Sequence, residues 1–491
     1  MRGAHDSKED FMRLSLFPGT GSLADVRYAF GHRRLSFDTE AFLTNPLDYL
    51  AEVESSARTY ASHFPRMFVS GKGVRITDVE GREYIDCLAN AGTLALGHNH
   101  PEVKQAVRSF IEADHLQQAL DLATPAKYAF VKELFSLLPA QLRATARIQF
   151  CGPTGADAVE AAMKLTRHHT GRAGILAFQG GYHGMTAGAL GAMGNIHSKS
   201  NLGLGNVQFM PYPYMFRCPF GTDGAHTDEL SLDFIRNVLD DPESGVPKPA
   251  AVIVEVVQGE GGCIAAPVSW LRGLREITQQ QDVALIVDEV QTGLGRTGRL
   301  FAIEHAGIIP DALVLSKAIG GGYPLSVVIY DERFDTWTSG MHAGTFRGNQ
   351  IAMVAGVATM CVIQHEGLAA QAAAKGELLQ AGLRRIARDF PFLGEVRGLG
   401  LMVGVEVAQA QADGAGGARA TPADGALAKS IRRHCFDAGL IVEAGGRHGA
   451  VLRFLPPLII SDADLGAVLD RFEAAVYKAS GSHHHARTAV A

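Results

Sequence analysis

The stretch Val283-Ala-Leu-Ile-Val-Asp-Glu-Val-Gln-Thr-Gly-Leu-Gly-Arg-Thr-Gly298 decides the fold, together with Ala312-Leu-Val-Leu-Ser-Lys-Ala-Ile-Gly-Gly-Gly322 further on. Each is a short, continuous apolar run, the pattern of a strand buried on both faces of a parallel sheet, and each stops at an ionisable residue followed by glycines. Asp288 and Lys317 are therefore expected at strand ends. In open α/β sheets the carboxyl ends of the strands are where ligands bind, so a carboxylate and an amine delivered there read as two parts of one site. Taken singly, a helix-capping aspartate and a solvated lysine are the plain alternative.

A ligand that wants both groups is pyridoxal phosphate: its aldehyde takes a lysine amine, and its ring nitrogen takes an anion that keeps it protonated. Asp288 is the expected anion and Lys317 the expected amine. The phosphate needs its own anchor. Gly152-Pro-Thr-Gly-Ala156, between an expected strand and helix, offers the Thr154 hydroxyl, the amides of Gly155 and Ala156, and a positive helix end. Tyr182, with His183 beside it, follows Gly180-Gly181 at another strand end and can lay its ring on the pyridine face. Val290, two residues past Asp288, can press on the opposite face, and Gln291 can hydrogen-bond the ring hydroxyl.

The rest of the composition bounds the answer. The 491 residues, 47% hydrophobic and 20% charged, are ordinary for a globular protein and enough for two or three domains. A net charge of -6 without basic clusters gives no field for nucleic acid. Six scattered cysteines, with no C-x-x-C pair, argue against a disulfide framework or zinc site and fit a reducing cytoplasm. His98, His100, His168, His169 and His183 match no ligand spacing, so no metal is expected. The first thirty residues lack the apolar core of a signal peptide. The longest apolar run, Ile351 to Ile363, is too short for a bilayer and reads as a buried helix, so no membrane partner is expected.

Along the chain, 1–45 reads as an arm, 46–100 as the first part of a small domain, 101–345 as the large cofactor-binding domain, 346–478 as the rest of the small domain and 479–491 as a tail. A helix is expected from Asn45-Pro46 to about Ala61, and a hairpin around Glu80-Gly81. From Arg147 strands alternate with helices, the texture of a doubly wound, mostly parallel sheet. One strand is expected over 398–406, a surface loop over 408–426, and a last amphipathic helix from Asp462 to about Tyr477.

In order and detail these motifs resemble the class III pyridoxal-phosphate aminotransferases. The carriers are Gly152-Pro-Thr-Gly-Ala-Asp-Ala-Val-Glu-Ala-Ala-Met-Lys164, Tyr182-His-Gly184, Glu255-Val-Val-Gln-Gly-Glu-Gly-Gly262, Asp288-Glu-Val-Gln-Thr-Gly-Leu-Gly-Arg-Thr-Gly298, Ser316-Lys-Ala-Ile-Gly-Gly-Gly-Tyr-Pro324, Gly344-Thr-Phe-Arg-Gly-Asn349 and Arg453-Phe-Leu-Pro-Pro457. The resemblance implies fold-type I, an α/β architecture with a large doubly wound domain and a smaller α+β domain. It makes Lys317 the catalytic amine and proton shuttle, and Asp288 the partner of the ring nitrogen. It implies a homodimer with shared active sites, in which Thr345 reaches the neighbouring subunit's phosphate. Arg453 would hold the α-carboxylate of glutamate and 2-oxoglutarate, and Glu260 would pair with that arginine when the other amino substrate is bound. Glu255 is read as supporting the site rather than acting as a base.

Within the class the spelling over Cys87–Pro101, Asp121–Pro125 and Thr345–Gln350 looks most like the enzymes that exchange amines between glutamate and aspartate 4-semialdehyde, forming L-2,4-diaminobutyrate for siderophore or ectoine synthesis. The alternatives are another class III ω-aminotransferase, of the 4-aminobutyrate, ornithine or acetylornithine type, or an aminomutase on the same fold. Three positions depart from the class pattern: Met185 where many members carry arginine, Gln350 in place of proline, and Asn90 where glycine is expected.

Overall fold

The structure is a computed structural model that describes residues 46–199, 205–222, 224–409 and 422–488, with side chains described as far as Gly481. It also describes the backbone of a two-stranded pair, Ala29–Phe30 with Arg33–Arg34. The expected N-terminal arm otherwise lies outside the described residues, as do 410–421 of the expected surface loop and the last three residues of the tail. By internal contacts the chain forms two compact units, Met1–Met67 and Phe68–Ala491. The first contains the helices Pro46–Val53 and Tyr60–His63. The expected run to Ala61 stops early because Ser55 Oγ accepts from Ala57 N at 3.2 Å, a local turn that competes with the helix ladder.

The second unit is built on a seven-stranded sheet in the order Ala146–Phe150, Val327–Asp331, Ala312–Leu315, Ala284–Asp288, Ala251–Val254, Ile175–Phe178, Val207–Met210. All pairings are parallel except the two made by Val327–Asp331. The apolar runs are continuous because both faces are covered. Val252, Val254, Leu285, Val287 and Leu313 join a core with Trp270 and Leu274 of helix Val268–Gln280. Their neighbours Ile253, Ile286 and Val314 pack with Val159, Ala162 and Met163 of helix Gly155–Thr170. At ~1.5–3 kcal/mol for each fully buried aliphatic side chain, this two-sided burial outweighs any local propensity.

Two four-stranded sheets flank it: Leu440–Ile441, Glu83–Asp86, Arg75–Asp78, Phe68–Lys72; and Leu393–Leu399, Met402–Val407, Val451–Phe454, Glu443–Gly445. The single strand expected over 398–406 is two antiparallel strands, because Gly398 and Gly400, at φ 136° and 54°, turn the chain between them. The helix Gln350–His365 is largely buried, as expected for its apolar run. The last helix runs from Asp462 past Tyr477 to Thr488, since nothing in 478–488 is a helix-terminating proline. Among the described residues no single helix is long and apolar enough to cross a membrane.

Candidate active site

Five strands deliver their next residues to the same edge of the large sheet. Asp288 ends one strand, Lys317 lies two residues past another, Glu255 follows Val254, Tyr182 follows the turn after Phe178, and Gly152 follows the strand ending at Phe150. Parallel strands place these positions side by side.

At the centre, His183 Nδ1 and Asp288 Oδ2 are 2.8 Å apart, both side chains buried, while Asp288 Oδ1 accepts from Val290 N at 3.0 Å. Burial opposes a charged His183, but the hydrogen bond and charge of Asp288, helped by Glu255, outweigh it and raise its pKa. The imidazole thus locks the orientation of the carboxylate. Glu255 is buried too, its Oε1 accepting from Tyr182 N at 2.8 Å and its Oε2 from Gly259 N at 3.0 Å. Burial pushes its carboxyl up to about 7, with His183 pulling it down and Asp288 pushing it up. Two backbone donors on one carboxylate are the geometry of a support, since both oxygens are engaged.

Lys317 sits at φ 51°, a left-handed conformation rare outside glycine, at the head of the turn Lys317–Gly320. Ser316 fixes the approach by donating to Leu325 O at 2.8 Å. Burial lowers the amine's pKa below its ordinary value, partly offset by Glu260 and Asp288 and reinforced by Arg453. A strained backbone and a desolvated amine are features that concentrate at functional sites.

The anion end is the start of helix Gly155–Thr170, whose first amides have no partner inside the helix. Thr154 caps this helix. Its hydroxyl donates to Asp157 Oδ2 at 2.7 Å and accepts from Asp157 N in a capping box, so it is already engaged within the chain. Gly155 lies against Val290: an added Cβ would come 2.8 Å from Val290 Cγ1. Gln291 Nε2 donates to Ala91 O at 3.0 Å, and its Oε1 is buried without a partner among the described residues. Arg453, buried, donates from Nη1 to Glu260 Oε1 at 2.7 Å. Tyr182 is half-buried, and burial raises its phenol pKa, with Glu260 and Glu255 adding to it. Thr345 is exposed, on the turn Thr345–Gly348, and Met185 is exposed as well.

Lys317, Asp288, His183, Glu255, Tyr182, Val290, Glu260 and Arg453 are thus linked by contacts or by mutual electrostatic influence. The site also contains groups that sequence reasoning did not single out. Arg296 is buried, its pKa brought down to about 10 by desolvation, with Nη1 donating to the carbonyls of Leu401 and Pro456. Asp86 accepts from Leu88 N and Ala89 N and meets His98 Nε2 at 2.8 Å. Arg296 had a signal, a lone charge inside a glycine-rich motif; Asp86 had none. The residues present fit pyridoxal phosphate. A Gln291 amide with a buried, orphaned oxygen, the positive start of helix Gly155–Thr170 and a buried carboxylate locked by histidine match a ring hydroxyl, a phosphate and a ring nitrogen.

The family model described as aminotransferase class-III matches residues 56–476. A Rhizobium meliloti (strain 1021) protein named diaminobutyrate--2-oxoglutarate aminotransferase is 52% identical over 432 residues, 87% of this chain and 92% of that protein. A Haemophilus influenzae protein of the same name is 46% identical over 437 residues, 88% of this chain and 95% of that protein. Among solved structures, a PLP-bound amine transaminase from an uncultivated Pseudomonas species has a TM-score of 0.77 at 27% identity, covering 87% of this chain and 98% of that one.

Proposed function

The chain belongs to the class III aminotransferases, and we propose that it moves an amine between glutamate or 2-oxoglutarate and the terminal carbon of aspartate 4-semialdehyde or L-2,4-diaminobutyrate. The observation that carries this reading is the Arg453–Glu260 pair, 2.7 Å long, whose two members both influence the Lys317 amine. A buried arginine held by a half-exposed carboxylate is a carboxylate-binding group that can be released or withdrawn. The names of the two similar proteins support the substrate assignment.

Bound pyridoxal phosphate supplies an aldehyde for the amine and an electron-withdrawing ring. Lys317 Nζ, its pKa lowered by burial, would take the aldehyde and carry a proton between the two carbons on either side of the transferred nitrogen. Asp288, oriented by His183, keeps an anion at the ring nitrogen. Tyr182, hung from Glu255, and Val290 would hold the ring and exclude water from it. The amides of Gly155 and Ala156 hold phosphate, together with Thr345 of a second copy of the chain. Thr154 acts mainly by setting the helix start, its hydroxyl being shared with Asp157. Arg453 grips the α-carboxylate of glutamate through its planar fork; Glu260 takes the arginine back when the ω-amine enters.

We read the chain as a homodimer with shared sites. Leu116, Leu120, Leu122, Tyr128 and Phe346 are exposed large apolar residues. The segment Ala119–Asp121 is tied to the Thr345 turn through Ala119 N to Gly348 O and an Arg347–Asp121 ion pair. An apolar surface around that turn is what a partner would cover. Six free thiols support a cytoplasmic setting, and siderophore synthesis is the proposed use of the product.

The test is the visible absorbance of the cofactor-loaded protein as single amino donors are added without keto acid. Glutamate and diaminobutyrate should each bleach the band, and 4-aminobutyrate, ornithine and acetylornithine should not. Bleaching by ornithine but not diaminobutyrate would transfer the assignment to another ω-aminotransferase.

A further inference from the structure

The four-stranded sheet that holds Arg453 carries a row of residues in one register. Arg397 of Leu393–Leu399 pairs with Gly404 of Met402–Val407, and Gly404 pairs with Arg453 of Val451–Phe454. Residues directly opposite across antiparallel strands share a face, so the two arginines stand on one face with a glycine between them. The loop that carries Glu260 fills the space this glycine leaves. A Cβ on Gly404 would come 2.9 Å from Gly262 O and 3.1 Å from Cys263 Cβ. Arg453 takes the Glu260 carboxylate at 2.7 Å, and two residues further along the same loop Arg397 Nε donates to Gly262 O at 2.9 Å.

Arg397 is itself held firmly. Its Nη1 donates to Glu395 Oε2 at 2.5 Å and its Nη2 to Glu406 Oε2 at 2.7 Å, and its guanidinium lies 4.9 Å from the centre of the Tyr214 ring. Glu406 is fully buried and also accepts from Arg217 Nε at 2.6 Å and from the Tyr214 hydroxyl. A carboxylate and a guanidinium engaged on this many sides form a strut, not a swinging arm. Burying such charges is weak as a source of stability. None of these groups takes part in the amine chemistry, and the strut ends on the loop of Glu260. The loop accommodates it closely: Gly262 takes φ 116°, and a Cβ there would come 3.0 Å from Arg397 Nη2. Gly446 N donates to Glu260 O at 2.9 Å from the other side.

We propose that Arg397 is a positioning residue for the Arg453–Glu260 pair. By holding the Gly262 carbonyl in the gap at Gly404, it fixes the backbone from which Glu260 takes Arg453 back when the ω-amine enters. Arg397 therefore acts, through Glu260, on the diaminobutyrate half-reaction. It leaves the glutamate half-reaction, in which Glu260 has released the arginine, nearly untouched. The inference rests on the switch and the substrates proposed above.

The experiment measures each half-reaction alone, as loss of the visible band of the cofactor-loaded, full-length protein with either glutamate or diaminobutyrate. The proteins are the wild type, Arg397→Lys, Gly404→Ala, Glu260→Ala and the double variant Arg397→Lys/Glu260→Ala. Arg397→Lys keeps a cation beside Glu406 but loses the fork that reaches Gly262. Gly404→Ala keeps the fork and pushes the carbonyl off it. Each should lower the second-order rate constant of bleaching by diaminobutyrate about 10-fold, and that by glutamate less than about 2-fold. Both donors are measured on one preparation, so a poorly folded fraction cancels in their ratio. The double variant should lose nothing beyond Glu260→Ala, the non-additivity of one residue acting through another. Equal losses for the two donors in Arg397→Lys and Gly404→Ala, no loss in either, or additive losses in the double variant overturn the role of Arg397; the switch itself stands if Glu260→Ala still separates the donors. If Glu260→Ala does not separate them, or diaminobutyrate fails to bleach the wild type, the underlying reading falls and this inference with it.

Discussion

His183 Nδ1 lies 2.8 Å from Asp288 Oδ2 in a pair from which water is excluded. Burial alone would discharge the imidazole, yet the Asp288 contact raises its pKa above the ordinary 6.5. A group whose folded pKa is raised adds stability that is fully present below its unfolded pKa and is lost as pH rises through the folded one. The cofactor-free protein should therefore exceed a His183→Gln variant in melting temperature most clearly below about pH 6, with the gap closing as pH rises above about 7. Melts across that range check it; a gap that widens with pH contradicts the sign.

The Arg453–Glu260 pair makes two opposite predictions. Arg453→Lys keeps the charge but loses the planar fork, so KM for glutamate should rise by about 10- to 100-fold while diaminobutyrate is less affected. Glu260→Ala frees the arginine, and diaminobutyrate should lose about 10-fold in kcat/KM while glutamate holds. Separate half-reaction kinetics for the two donors decide it, and parallel losses in both variants would remove the switch.

Gly155→Ala separates folding from binding. Alanine is the better helix former at this helix start, a gain of less than about 1 kcal/mol that offsets part of the overpacking against Val290. The new Cβ, however, presses on Val290 at 2.8 Å, displacing a wall of the ring site. Cofactor affinity should fall by about 10-fold, a loss of ~1.4 kcal/mol, read by titration of the cofactor-free protein.

Arg296 joins the loop after Asp288 to the turn before Met402 and to the segment after Arg453, through the Leu401 and Pro456 carbonyls. Arg296→Ala removes both bonds and opens a cavity, and should lower unfolding free energy by roughly 3 kcal/mol in urea titration. An unchanged midpoint would mean that those carbonyls find other donors.

Much of this molecule was legible in the order of its residues, and what was not has identifiable causes. Strands such as Ile175–Phe178 and Ala251–Val254 were readable because burial on both faces leaves an unbroken apolar run. The antiparallel strand Val327–Asp331 carries the same kind of run, but its direction is set by its neighbours and not by its own residues. Asp288 and Lys317 stood out as charges ending apolar runs. The engagement of Thr154 with Asp157 was hidden, since threonine before a helix serves equally as cap or phosphate ligand. The left-handed turn at Ala89–Ala91 was illegible for a stronger reason. Alanine disfavours that conformation, which is imposed from outside by Asp86 and Gln291.

Following the nitrogen itself decides whether this chain transfers an amine from glutamate to aspartate 4-semialdehyde. Nitrogen-15-labelled glutamate and aspartate 4-semialdehyde are incubated with the cofactor-loaded enzyme, and the diaminobutyrate formed is read by NMR, with Lys317→Ala as control. Label is expected in the 4-amino group, matched by 2-oxoglutarate formed in equal amount, with no product from the variant. Absence of labelled diaminobutyrate with the wild type, or label delivered equally well by the variant, would contradict that transfer.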